Sequence, residues 1–125
     1  MSVRAAAKEG NEVKIGTLIR AGSPVDLTNV ENSTPLMVAC EAGKLEAAKL
    51  LVAHGAKISF QSKCAPYHTP LFRAVLSSRY EMVSWLLERG ADPTTKDSVD
   101  KTVLDRARER KDAKMVALLE APAKR

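Results

Sequence analysis

The sequence predicts an all-α repeat fold, an α-solenoid of four stacked helix-turn-helix units, from three observations. A Thr-Pro-Leu triplet at 34–36 returns at 69–71, 35 residues on, and Thr102-Val103-Leu104 follows 33 residues after that. Ala6, Gly10, Ile15, Leu18, Ile19 and Gly22 each lie 33 residues before Ala39, Gly43, Ala48, Leu51, Val52 and Gly55. Aromatic residues are only 4% of the chain, so the core must be built from Leu, Val, Ala and Met. Those residues suit short helices in layers that each touch only their neighbours.

The clearest unit runs from Thr69 to Asp92. Thr69 can cap a helix with its hydroxyl, and Pro70 supplies a preset φ at the first position, where no backbone donor is needed. Leu71, Ala74 and Val75 fall three and four apart on one face. Ser77-Ser78-Arg79 breaks that face before a second stripe begins at Tyr80, Val83, Leu86 and Leu87. Gly90 ends it, because the chain leaves a helix through a left-handed residue that Gly adopts without steric cost. Trp85 is predicted to pack in the groove between neighbouring units; the alternative is an exposed contact on the convex side.

In chain order, the first unit has Ser2-Val3-Arg4 where later ones have Thr-Pro-Leu, and Glu12 and Lys14 where the second has Leu45 and Ala47. That is the polar outer face expected of a terminal repeat. The link from Gly22 to Thr34 carries Val25 for the core and a turn-rich tip at Asn29-Val30-Glu31-Asn32. The link from Gly55 to Thr69 is two residues longer than the others and holds Phe60, Cys64, Pro66, Tyr67 and His68. Such an insertion either belongs to a binding face or is a neutral loop whose extra length costs little. In the third unit Ser78 replaces the turn glycine of Gly43, predicting a strained or altered turn. In the fourth, Arg108 takes the place of Cys40 and Val75, which fits a cap with nothing stacked beyond it. The boundaries read 1–33, 34–68, 69–101 and 102–121, with a loose tail at 122–125.

A helix-turn-helix repeat of about 33 residues opening on Thr-Pro-Leu resembles the ankyrin-repeat family. The resemblance covers nearly the whole chain and implies that β-hairpin or loop fingers join the repeats, with Asn29 and Asn32 at the family's usual Asp and Gly positions. The His that often follows Thr-Pro-Leu is Met37, Phe72 and Asp105 here, so the bonds it would give to neighbouring fingers are missing and looser fingers are expected.

Composition and motifs point away from chemistry. No apolar run nears the roughly 18 residues of a membrane span, and the first residues lack a signal-peptide core. A soluble intracellular protein, cytoplasmic or also nuclear, is expected. His54 and His68 lie near no nucleophile in a recognised spacing, and the glycines are turn and cap residues rather than a phosphate cradle. Cys40 reads as a small core residue and Cys64 as a finger residue; one such pair is not a disulfide framework. Cys64 with His68 would offer two ligands where a structural zinc wants four. Neither a catalytic residue, a cofactor nor a metal is expected. The formal charge of the chain is +5, and basic residues cluster in Arg106 to Lys114, interrupted by Glu109 and Asp112. This run reads as a solubilising cap, then as a surface for an acidic protein, and last for nucleic acid, since no aromatics interleave to stack bases.

The resemblance supplies the remaining expectation: a non-catalytic protein-binding module, an adaptor, inhibitor or assembly factor, monomeric, with the partner held on a concave face of finger tips and inner helices. Carried over by position, that face takes Val30, Glu31 and Ser33 from the first finger. The second finger gives Lys63, Cys64, Tyr67 and His68, and the third Ser98, Val99 and Lys101. The inner helices add Glu41, Ala42, Leu76, Ser77, Glu109 and Arg110, with Arg73 and Arg106 bordering it. The competing function is electrostatic binding of nucleic acid or an acidic surface through the basic last repeat.

Overall fold

The structure, a computed structural model, describes residues 2–29 and 32–121. It contains eight helices among these residues: α1 (Val3–Glu9), α2 (Glu12–Arg20), α3 (Pro35–Ala42), α4 (Leu45–Ala53), α5 (Pro70–Leu76), α6 (Tyr80–Glu88), α7 (Val103–Glu109) and α8 (Ala113–Glu120). Each odd-numbered helix packs on the next helix in sequence. α3 lies between α1 and α5, α5 contacts α7, α2 contacts α4, and α6 contacts α8. The odd-numbered helices thus form an inner layer and the even-numbered ones an outer layer, the arrangement of an α-solenoid.

The helix starts follow from local chemistry. Ser2, Thr34, Thr69 and Thr102 are all extended N-caps whose hydroxyls accept from the third helical amide, with Pro35 and Pro70 at the first helical turn. Asp105 adds the return bond of a capping box to the Thr102 amide at 2.9 Å. Each such bond satisfies a helix-terminal donor that would otherwise face only water.

The turns between paired helices explain the glycine replaced by Ser78. Gly10 and Gly43 turn in the left-handed region at φ 75° and 72°, and Ser78 and Lys111 do so at 55° and 57°. A side chain from the next repeat crosses each glycine: a Cβ at Gly43 would sit 2.9 Å from Arg79 Cδ, and one at Gly10 would sit 2.9 Å from Lys44 Cδ. Arg79 Nε uses that approach to donate to the Glu41 carbonyl at 3.0 Å, near the end of α3. At the third turn the crossing residue is Asp112, which is short and accepts from the Ser78 hydroxyl at 3.2 Å and from Tyr80 Oη at 3.0 Å. Ser78 therefore accepts a left-handed backbone and gains a bond across the repeat boundary.

The core lies between the two layers. Val3, Ile15, Leu36, Leu51, Leu71, Val75, Met82, Leu86 and Met115 are buried in one cluster, and Trp85 packs half-buried against it. Leu86 and Leu87 are both buried, whereas Val52, beside buried Leu51, is only half-covered. Met37 and Phe72 are fully buried, so the positions where the family often has His serve here as core. Arg108 is exposed and pairs with Glu120.

The fingers are turns rather than β-hairpins, and no strand is present among the described residues. The first closes with Asn29 N–H to Ser33 O at 3.1 Å, the second with Ser62 N–H to His68 O at 2.9 Å, and the third with Asp97 N–H to Lys101 O at 2.9 Å. With one closing pair each, plus a tight turn at the tip, no ladder can start. Asn32, Tyr67 and Asp100 occupy the left-handed position of each tip. The two extra residues of the second finger fall inside its loop, where the closing bond spans 62 to 68 rather than the 97 to 101 of the third.

Candidate binding face

An open groove of about 510 Å³ runs along the inner layer at its first three helices. It is lined by Ser2, Arg4, Ala5 and Lys8 of the first repeat, Asn29 and Ser33 of the first finger, Val38, Glu41 and Ala42 of α3, and Arg73 of α5. Ala5, Val38 and Ala42 contribute small side chains to its floor, which keeps the groove open.

Arginines tie the groove together. Arg73 donates to Glu41 Oε1 at 2.7 Å and to Ser33 Oγ at 2.6 Å, reaching from the third repeat to the first finger. Arg4 donates to the carbonyls of Leu27 and Ser33 from the other side. In the absence of that His, arginines near the inner-helix starts bond the first finger. The third finger is held the same way, with Arg106 Nε 2.8 Å from Asp97 Oδ2. The Asp97 carboxylate is itself buried and accepts from the Val99 and Lys101 amides.

Burial alone would raise the Asp97 carboxyl, but the Lys101 and Val99 amides and the Arg106 guanidinium outweigh it and hold it below the usual carboxylate range. A depressed folded value stabilises the fold above the ordinary carboxylate pKa of about 4, and this stabilisation is lost as pH falls through the folded value. Asp97→Asn keeps the acceptor oxygen but loses the charge. We expect it to cost about 1–3 kcal/mol at pH 7 and to flatten the acid limb of the stability profile. Urea midpoints at pH 7 and pH 3 check both statements.

The second finger bridges its neighbours. Lys63 N–H donates to Asn32 Oδ1 at 2.6 Å on one side. On the other, Ser98 N–H donates to Pro66 O at 3.0 Å and Gln61 Nε2 to Lys96 O at 2.8 Å. Lys63 and Cys64 are exposed, and Tyr67 and Val99 present exposed apolar side chains on adjacent fingers. His68 is half-buried and stacked on Phe72, ring centroids 5.3 Å apart. Burial first, then the Arg73 cation, pushes its imidazole down from the ordinary value, so the ring is neutral at physiological pH.

The structure thus gathers Ser33, Glu41, Ala42 and Arg73 of the residues expected from sequence into one groove. Ser33 is 1% exposed, so it serves by holding Arg73 and not as an open contact. Lys63, Cys64, Tyr67, Ser98 and Val99 sit apart, on the outer edges of the second and third fingers. Leu76 and Ser77 are half-buried at the end of α5, and Arg110 is exposed at the end of α7. Lys101 and Arg106 both pair with Glu109. Val30 and Glu31 lie outside the described residues. Sequence reasoning missed Ser2, Arg4, Ala5, Lys8, Asn29 and Val38. The register could have found three of these, since Lys8 lies 33 residues before Glu41, Val38 lies 35 before Arg73 and Ala5 lies 33 before Val38.

The buried Cys40 thiol is pushed far up by burial, which leaves it protonated and unreactive. Among the described residues no cluster of three or more His, Cys, Asp or Glu is placed to hold a metal, and no helix is long and apolar enough to cross a membrane.

A family profile described as ankyrin repeats (3 copies) matches residues 3–97. The chain belongs to the ankyrin-repeat family, whose repeats in general mediate protein–protein interaction. Human "Ankyrin repeat and SOCS box protein 6" is 35% identical over 91 residues, 72% of this chain and 21% of that protein. A Caenorhabditis elegans "Transient receptor potential cation channel subfamily A member 1 homolog" is 32% identical over 100 residues, 80% of this chain and 8% of that protein. The C. elegans "BRCA1-associated RING domain protein 1" is 33% identical over 96 residues, 76% of this chain and 13% of that protein. The chain therefore spans between 8% and 21% of the length of these relatives.

Proposed function

We propose that this protein is a non-catalytic binding module, an adaptor, inhibitor or assembly factor, that holds another protein on its concave side. The observation that carries this reading is the open groove of about 510 Å³, walled by side chains of three consecutive repeats and the first finger. A continuous surface that several repeats build together is what a solenoid offers a partner. Tyr67 and Val99 offer a separate exposed apolar edge on the second and third fingers. The competing reading, binding of nucleic acid or an acidic surface through the last repeat, is less favoured, because Arg106 pairs with Asp97 and Glu109, and Arg108 pairs with Glu120.

The test is a pull-down from the source cell extract with the intact protein and with Ala42→Trp, whose bulky uncharged side chain occupies the groove whatever the partner's charge. Both must give the same helical circular dichroism. We expect a partner captured by the intact protein to be lost from the variant. A partner retained equally by both would overturn the groove as the binding surface, and steep loss of capture with added salt in both proteins would favour the last repeat instead.

A further inference from the structure

We infer that the groove between α1, α3 and the first finger recognises an acidic, extended segment of the partner protein; the inference rests on the binding role proposed above. The lining holds three cations, Arg4, Lys8 and Arg73, against one carboxylate, Glu41. Glu41 is already neutralised by Arg73. Arg4 and Lys8, four residues apart on α1, have no carboxylate partner among the described residues. Arg4 uses one guanidinium amino group on the first finger's carbonyls, while its Nε is buried without a partner. Lys8 is exposed beside Arg4, so an incoming carboxylate meets two cations that no carboxylate of the described residues compensates.

The floor sets the shape of what fits. Ala5, Val38 and Ala42 let a main chain approach closely, while Arg4 and Lys8, on one face of α1, stand along one side. An alternation of acidic and small residues matches this, because successive side chains of an extended segment point to opposite sides. The charge of the wall selects carboxylates over amides by complementarity and speeds encounter.

The experiment follows backbone amide resonances of the full chain, isotopically labelled, during titration with a short capped peptide of alternating glutamate and alanine. A glutamine-for-glutamate counterpart is the control. We expect the acidic peptide to shift Ala5, Lys8, Val38 and Ala42, and the control not to. Lys8→Glu alters an exposed side chain and is expected to weaken the acidic peptide by about tenfold or more without changing the melting profile. Shifts concentrated on Arg110 and Lys111, equal binding of the control, or undiminished binding to Lys8→Glu would each overturn the proposal. A single-stranded oligonucleotide that shifts the same groove amides more strongly than the peptide would also overturn it. If the peptide fails while Ala42→Trp still loses the captured partner, the binding face stands and only its acidic preference falls; if both fail, the face itself falls.

Discussion

Phe72→Ala is expected to lower the unfolding free energy by about 3–5 kcal/mol. Phe72 is among the largest side chains with no exposure, and it sits in the first turn of α5, which packs on both α3 and α7. Removing the ring leaves a cavity bounded by rigid helix backbones, so the site cannot collapse fully. The same change removes the face on which His68 stacks, and with it the packing of the second finger against the helix. Because each repeat is stabilised by its neighbours, the loss reaches the whole stack rather than one helix pair. Urea denaturation checks this through a lower midpoint at unchanged slope. A loss below about 1 kcal/mol would show that the ring's space can be refilled and that α5 is not the keystone of the inner layer.

Leu86→Ala is expected to cost about 2–5 kcal/mol for the corresponding reason in the outer layer. Leu86 is fully buried on α6, and its carbonyl accepts from the Arg89 and Ala91 amides where the chain leaves the helix. The substitution leaves these backbone bonds in place and removes only the side chain, so the loss reports packing. A loss under about half a kcal/mol would mean that Leu86 faces solvent and that α6 is turned from the orientation described here.

These two positions were not equally legible. Leu86 belongs to a stripe whose spacing gives its face directly, since helical periodicity is a local property. Phe72 stands where the family often has a polar His, and only the packed inner layer shows that its ring is core. The caps at Ser2, Thr34, Thr69 and Thr102 were legible for the same local reason as Leu86. Ser78 reads in the sequence as a strained or altered turn, and the Asp112 carboxylate that accepts from its hydroxyl lies 34 residues away, beyond the reach of a local pattern.

The binding face was the least legible part. Its position on the inner helices and fingers came from the family resemblance, and Glu41, Ala42 and Arg73 do line the groove. Its cationic wall did not come from that resemblance. Arg4 and Lys8 lie in a repeat whose polar residues read as an end cap, and their meeting with the first finger depends on how α1 packs on α3. The reverse holds for the basic run at Arg106 to Lys114. In one dimension it is the largest charge feature, yet folding commits Arg106 and Arg108 to carboxylates and sets Lys114 Nζ 4.4 Å over the Tyr80 ring. Charge that is prominent in sequence is therefore partly spent inside the fold, while the less prominent pair on α1 stays available.

The measurement that bears most directly on the central claim is the affinity of the purified captured partner for the intact protein and for Ala42→Trp, by titration calorimetry, with melting curves of both. Binding weaker by about tenfold or more in the variant, at unchanged melting temperature, is the predicted result. Equal affinity for the two proteins would contradict the account, because a partner seated in the groove cannot share the space at Ala42 with an indole ring.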